Sequence, residues 1–519
     1  MPHHAERWSR ALGACALALF VLLMAALVAC ALTMTAIHGL DGPYEDSIRF
    51  VRDALPANLL LTGAALLSLV LGRALLERFA RVHLSAILMG LWGAAAIIWV
   101  LGIGLVSETD CGALIMTARR FAQGDYALLS WGYYRGCPFQ LGMVLLLEGL
   151  QRLFPGGNID LMMQLINTVM SVLTMGVVCA LAQRMEGSAS ASRACALLLA
   201  LFLPFLLYNV YVYGTVLMTL MLCLSLLCFS CYVRTRRARY GAAMALALAV
   251  GYVAKPNILI AVVALLICAA LDALRERRLG AMLFVGLGLV LGLLMMKLVI
   301  WQYELRSGVR LEPNVCRLTW LVMGLSDRGI EGVCPGWYNG YVGEFFDIDI
   351  TPEAQKAVVL ADLKARIPEL LDNPAYTAAY LRDKCLSQWI EPGYSTMSYG
   401  DRCDWQGRFN GVAALVYRED SPVRAALEAY MNVCQQALYV LALTGGLRLL
   451  RRGTGTDMLA LPVTVLGGFL FHLLFEAKSQ YIYPYAVLLM PVAAVGLEAV
   501  ARGCAGLARR LEHRHETEA

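Results

Sequence analysis

The sequence predicts an all-α polytopic membrane protein with about twelve transmembrane helices. Three observations carry that prediction. Of the 519 residues, 59% are hydrophobic and only 16% are charged, where a soluble chain would carry about a quarter charged. Mean hydropathy is +0.63. Apolar runs of roughly 20 residues recur along the chain, and arginines cluster in the short segments between them, as the positive-inside rule requires. Those clusters account for the net charge of +5 without a nucleic-acid partner.

The first apolar run, 11–37, follows Arg7 and Arg10 as the core of a signal peptide would. It exceeds the roughly 7–15 residues of such a core and further spans follow, so it reads as a retained helix. The next spans are 57–73, 84–106, 161–183, 193–212, 215–233, 240–254, 257–273 and 280–300, and the last three are 433–450, 456–475 and 482–502. Arginines fix the sides. Arg73, Arg78 and Arg81, then Arg184 and Arg193, then Arg234, Arg236, Arg237 and Arg239 flank short loops, as do Arg275, Arg277 and Arg278, and Arg448, Arg451 and Arg452; Arg502, Arg509 and Arg510 mark the tail. All are assigned to the cytoplasm, with both termini.

Segment 139–154 tests this parity. It is apolar but contains Glu148, Gln151 and Arg152. As a full span it would carry costly charges and put the 234–239 cluster outside, so it reads as an amphipathic helix on the outer surface. The chain then divides into an N-terminal three-helix region (1–106), a first external loop with amphipathic helices (107–160), a transmembrane core (161–300), an external loop domain (301–432) and C-terminal helices with a cytoplasmic tail (433–519). The loop 38–56, with Asp41, Glu45, Asp46 and Asp53, is external and acidic. Within the large loop, 351–372 has helical spacing, with Thr351 as N-cap before Pro352, and Pro374 begins another helix.

Asp110 stands just past the end of span 84–106 and opens the polar, aromatic segment 107–138. A carboxylate at the membrane–water boundary suits acid/base chemistry on a bilayer-anchored substrate. Equally, Thr109 or Asp110 could simply cap the helix that begins near Cys111. Of sixteen cysteines, six fall inside external loops: Cys111 and Cys137, Cys316 and Cys334, Cys385 and Cys403. Each couple brackets a segment of one loop, so three local disulfides are expected in an oxidising exterior, with connectivity open. A zinc site is the weaker alternative, since no CxxC or histidine-rich spacing accompanies them.

Several segments resemble GT-C glycosyltransferases, in particular the bacterial branch related to protein O-mannosyltransferases, glycosyltransferase family 39. They are Asp110, then Arg119-Arg120-Phe-Ala-Gln-Gly124-Asp125-Tyr126, then Tyr133-Tyr134-Arg135-Gly-Cys-Pro138-Phe-Gln140-Leu-Gly142. Later come Trp320-Leu-Val-Met323-Gly324, Pro335-Gly336-Trp337-Tyr338-Asn339-Gly340-Tyr341, Lys384 with Gln388-Trp389-Ile-Glu391-Pro392, and Phe475-Glu476-Ala-Lys478-Ser-Gln480-Tyr481-Ile-Tyr-Pro484-Tyr485. The order of these segments over most of 84–500 carries the likeness. The resemblance implies a GT-C-like fold and inverting transfer of a sugar from a polyprenyl-phosphate carrier to an extracytoplasmic hydroxyl acceptor, whether protein, wall polymer or glycolipid.

On that resemblance Asp110 is the expected base, with Glu108 the neighbouring alternative. Lys255, in Gly251-Tyr-Val-Ala-Lys255-Pro256-Asn257 between two spans, is expected at the carrier phosphate, since a buried ammonium needs an anion. The competing reading is a snorkelling lysine. Arg135 and Lys478 are second candidates. Sugar or acceptor binding is expected from Tyr133, Tyr134, Trp337, Tyr338, Asn339, Trp389, Gln480 and Tyr481. Trp131, Tyr394 and Trp405 offer further aromatic faces, and all these rings could equally be an interfacial belt. Glu476 with Lys478 could be a simple ion pair, and His472 a packing residue. No metal ligand is assigned and the cofactor is left unknown: the next external loop, Tyr208-Asn209-Val-Tyr211-Val-Tyr213-Gly214-Thr215, has no carboxylate, which leaves Asp125 as a substitute and metal dependence in doubt. The alternative function is a polytopic transporter or lipid-linked sugar flippase, which would place ionisable residues deep within spans.

Overall fold

In a computed structural model, the protein is described over residues 2–40, 46–79, 83–312, 315–326, 334–346, 348, 350–404 and 407–518. Asp41, Glu45, Arg81 and Trp405 lie outside the described residues. Helix α1 (Pro2–Thr33) ends earlier than the apolar run suggests, because the chain turns into an antiparallel hairpin, β1 (Met34–Leu40) and β2 (Asp46–Arg52). Alternation in Thr-Ala-Ile-His turns Ala36 and His38 inward. The Ala36 N–H donates to the Ile390 carbonyl (3.1 Å), so the hairpin is tied to the far part of the chain.

Two long helices follow, α2 (Leu55–Arg78) and α3 (Leu84–Ile103), then the short α4 (Thr109–Ala122), α5 (Gly132–Gly136) and α6 (Leu141–Leu153). Helix α6 has 13 residues; at about 20 Å it is too short to cross a bilayer. Its Glu148 is not on a wet face. It is buried, accepting from Tyr303 Oη (2.7 Å) and Arg152 Nε (2.8 Å) and pairing with Arg306.

The core continues with α7 (Ile159–Glu186), α8 (Ala189–Leu201), α9 (Leu203–Leu207), α10 (Thr215–Thr235), α11 (Ala238–Ala254), α12 (Leu259–Glu276) and α13 (Gly280–Ser307). Segment 193–212 is not a straight span: the helical path bends by 69° at Phe202, before Pro204. Beyond α13 lie α14 (Leu318–Leu325), α15 (Pro352–Asp372), α16 (Pro374–Trp389), α17 (Thr396–Cys403) and α18 (Gly411–Tyr417). Thr351 Oγ1 accepts from the Ala354 N–H (3.3 Å), the cap its sequence implies. The chain then returns through α19 (Pro422–Arg452), α20 (Thr456–Leu474) and α21 (Tyr483–Glu518).

Among the described residues ten helices are long and apolar enough to span a membrane, eleven if the bent α8–α9 pair is one span, and α11 is a shorter apolar helix. These elements account for all twelve predicted runs, so the chain is an all-α multi-pass membrane protein.

Close crossings need glycine. A Cβ on Gly496 of α21 would sit 1.9 Å from the Leu441 carbonyl oxygen, and one on Gly445 of α19 would sit 2.0 Å from that of Val492. Only small residues let these backbones meet.

The arginine clusters gather at one end of the bundle. Glu186 at the end of α7 accepts from Arg448 (2.7 Å), Arg452 (2.8 Å) and Arg502 (2.6 Å). Arg73 pairs with Glu498 (2.9 Å), Arg193 with Glu77 (2.7 Å), Arg234 with Asp457 (2.6 Å) and Arg236 with Asp272 (2.5 Å).

Candidate active site

At the start of α4, Thr109 is held at φ 52°, in the left-handed region that β-branched residues avoid. This kink turns Glu108 and Asp110 apart. Glu108 faces Arg408 (3.7 Å). Asp110 caps nothing: the N-cap position is Glu108, and it makes no side-chain cap bond. Although open to water, Asp110 lies deep among protein atoms in a cleft. Burial raises its carboxyl pKa, and the rise is restrained by the charges of Lys478 and Arg402, by the Tyr133 hydroxyl and by Lys255. The buried Tyr133 hydroxyl faces Asp110 without closing a hydrogen bond. Trp131 stacks on the Tyr133 ring (5.1 Å).

Opposite stands Lys255, at the break between α11 and α12 that Pro256 makes. Its Nζ donates to Thr215 Oγ1 (3.0 Å) and lies over the rings of Tyr213 (4.8 Å) and Tyr481 (5.1 Å). No carboxylate closes a salt bridge with it among the described residues. Burial lowers its pKa to about 8. Lys255 and Gln480 line one wall of a narrow groove of about 10 Å³, whose other walls include Met218 and Leu222 of α10, Ile260 of α12 and Tyr485 of α21. A polar cleft holding a carboxylate thus meets an apolar groove, with the ammonium at the junction.

The third wall is the segment between α20 and α21. The Glu476 N–H donates to the Trp320 carbonyl (3.1 Å) and that of Ala477 to the Gly336 carbonyl (2.7 Å). Lys384, fully buried on α16, donates to the carbonyls of Gly324 and Phe475. So fixed, Glu476 faces Tyr481, Lys478, Lys255 and Asp110, and burial pushes its pKa up to about 7. Lys478 does not close a salt bridge with it. It pairs instead with Asp46 (2.7 Å), the first residue of β2, whose other oxygen takes His38 (2.6 Å) and Arg402. Burial would raise the Asp46 carboxyl, but Lys478, His38 and Arg402 together hold it well below the ordinary range. Burial lowers the His38 pKa against the pull of Asp46, and the ring bridges Asp46 at Nε2 (2.6 Å) and Ser398 Oγ at Nδ1 (2.9 Å).

The predicted residues therefore divide. Asp110, Lys255, Lys478, Tyr133, Tyr481 and the exposed Tyr338, near both Asp110 and Glu476, come together. Gln480 joins through Tyr211, whose hydroxyl donates to its Oε1 (2.6 Å). Trp337 is buried beneath the site, with Nε1 donating to Ser387 (2.8 Å), its ring edge-on to His38 (4.8 Å) and Lys478 over its face. Other residues are framework. Trp389 packs against Phe469 and Tyr485. Tyr134 bonds Thr117 (2.8 Å), and Asn339 bonds the Ser326 carbonyl (2.9 Å). Tyr394 is buried. Arg135 makes no ion pair among the described residues. Asp125 sits on a turn, accepting from the Ala127 N–H (3.0 Å). His472 is buried and stacks on Tyr481 (5.4 Å).

The expected disulfides are corrected. Cys111, Cys137, Cys316, Cys334, Cys385 and Cys403 are all free thiols. Cys111 and Cys403 share one small apolar cluster, while Cys385 neighbours Cys30. Sequence reasoning missed the roles of Asp46, His38 and Arg402. The strand-like alternation after α1 was the only signal, and nothing local pairs residues 46, 402 and 478.

Residues 141–301, under a third of the chain, match the profile of a family described as dolichyl-phosphate-mannose-protein mannosyltransferase. No curated protein matches. Among solved structures, the archaeal oligosaccharyltransferase AglB from Archaeoglobus fulgidus, in complex with an inhibitory peptide and a dolichol-phosphate, aligns at 14% identity and a TM-score of 0.42, over 83% of this chain and 52% of that one. The chain spans about half the length of that protein. The family likeness thus rests on α6 through most of α13, a stretch that contributes Lys255 to the cleft.

Proposed function

We propose that the protein is a membrane glycosyltransferase that moves a sugar from a polyprenyl-phosphate carrier to an extracytoplasmic hydroxyl acceptor. The observation that carries this reading is the junction itself: Asp110 in a polar cleft, Lys255 at its edge, and a narrow, mostly apolar groove against Lys255. A sugar joined to a long lipid through a phosphate needs those three environments in that order. The family match over 141–301 supports the same reading.

In the reaction the acceptor hydroxyl attacks the anomeric carbon, Asp110 takes its proton, and the bond to the carrier phosphate breaks. The Lys255 ammonium neutralises charge on the departing phosphate. A single displacement inverts the anomeric centre. Glu108, turned toward Arg408, takes no part. The arginine-rich end is cytoplasmic on the positive-inside rule, so the cleft faces the exterior.

The test is full-length protein in liposomes offered several polyprenyl-phosphate sugars, with products read by mass. Asp110→Asn is expected to lower turnover by about 10²–10⁴-fold with unchanged thermal unfolding. Undiminished transfer by that variant removes Asp110 from the mechanism.

A further inference from the structure

The N-terminal hairpin reaches into the cleft, and one of its side chains governs the charges there. We propose that Asp46 is a positioning residue that holds Lys478 and Arg402 off the Asp110 carboxylate and keeps that base free. The proposal rests on the reading of Asp110 as the base.

Asp46 is nearly buried and gathers donors from three separate elements: His38 on β1, Arg402 on α17 and Lys478 before α21. The two cations are also the charges that act most strongly on Asp110. Both cations act on two carboxylates, and the closed ion pairs are with Asp46. Its seat is braced. Tyr394 and Ser395, at φ 51° and 64°, form a strained turn that brings Ser395 Oγ to the His38 ring (3.1 Å). The Ser395 N–H donates to the buried Glu391 (2.7 Å). Such strain persists only where the surroundings enforce it, and here it fixes the ring that carries Asp46.

The remaining groups facing Asp110 are Lys255 and Glu476, the hydroxyls of Tyr133, Tyr134, Tyr211, Tyr213, Tyr338 and Tyr481, and the thiols of Cys111 and Cys137. Without the Asp46 charge, both cations still act on Asp110, and Lys478 acts on Glu476 as well. A lysine swung onto Asp110 would tie up the lone pair that accepts the acceptor's proton, and a firmly paired carboxylate is a weaker base.

The test needs no sugar substrate. In the full-length protein in liposomes, the protonated-carboxyl infrared band that disappears in Asp110→Asn reports Asp110, and its pH midpoint is measured. Asp46→Asn is expected to lower that midpoint by about one unit or more, as cations close on the carboxylate. Lys478→Met is expected to raise it, and serves if Asp46→Asn does not fold. A midpoint unmoved in Asp46→Asn overturns the proposal, and so does one unmoved in Lys478→Met. Because the titration is independent of turnover, an inactive reconstituted protein would count against the transferase reading and leave this result standing.

Discussion

Asp110 and Lys255 are opposed in chemistry and alike in circumstance. Each is an ionisable group in surroundings that disfavour its charge, with burial raising one pKa and lowering the other. A base must be deprotonated to act, so turnover is expected to rise with pH along an acid limb set by Asp110. Glu476, pushed up to about 7 nearby, adds a negative charge as it ionises and should make that limb shallower than one proton requires. Glu476→Gln is expected to restore a single-proton slope, read from turnover against pH. At Lys255, substitution by glutamine keeps the hydrogen bond to Thr215 and removes the charge. The donor KM is expected to rise by about tenfold or more, since a lost charge-assisted contact is worth about 1.5–3 kcal/mol, with a smaller effect on acceptor KM.

At the scale of elements, the start of α4 shows how backbone strain serves a site. Thr109 at φ 52° costs about 1–2 kcal/mol relative to a residue that tolerates the conformation. Thr109→Gly is therefore expected to stabilise the protein by up to about 1 kcal/mol in thermal unfolding, while turnover falls because Asp110 is less firmly aimed. The segment between α20 and α21 is the counterpart, held not by strain but by backbone bonds to Trp320 and Gly336 and by the buried Lys384. The sequence made the framework and the site residues look alike here. Trp337 and Trp389 lie in similar aromatic motifs, yet one lies against Lys478 and the other against core rings. Only packing separates them.

Across the whole molecule the two ends differ in kind. One end is an arginine lattice closed by Glu186, Glu498, Glu77, Asp272 and Asp457; the other holds the cleft. A protease site inserted at Gly407 is expected to be cut from outside intact cells, and one inserted after Arg237 only after permeabilisation. The bundle depends on close crossings as much as on charge. Gly496→Val, with no room beside the Leu441 carbonyl, is expected to cost about 1–3 kcal/mol or more in thermal unfolding.

The sequence by itself determined the helical membrane class, the run of spans and the arginine asymmetry, because hydropathy over about 20 residues and charge beside it are local properties. It also singled out Asp110, Lys255 and Lys478, polar residues standing where apolar runs break. It could not decide the partners. The assembly of residues 46, 110, 255, 402 and 478 into one cleft joins five distant segments. Such long-range neighbours are chosen by how helices pack, and no local pattern encodes them. Tertiary structure alone brought the hairpin carboxylate of Asp46 onto Arg402 and Lys478.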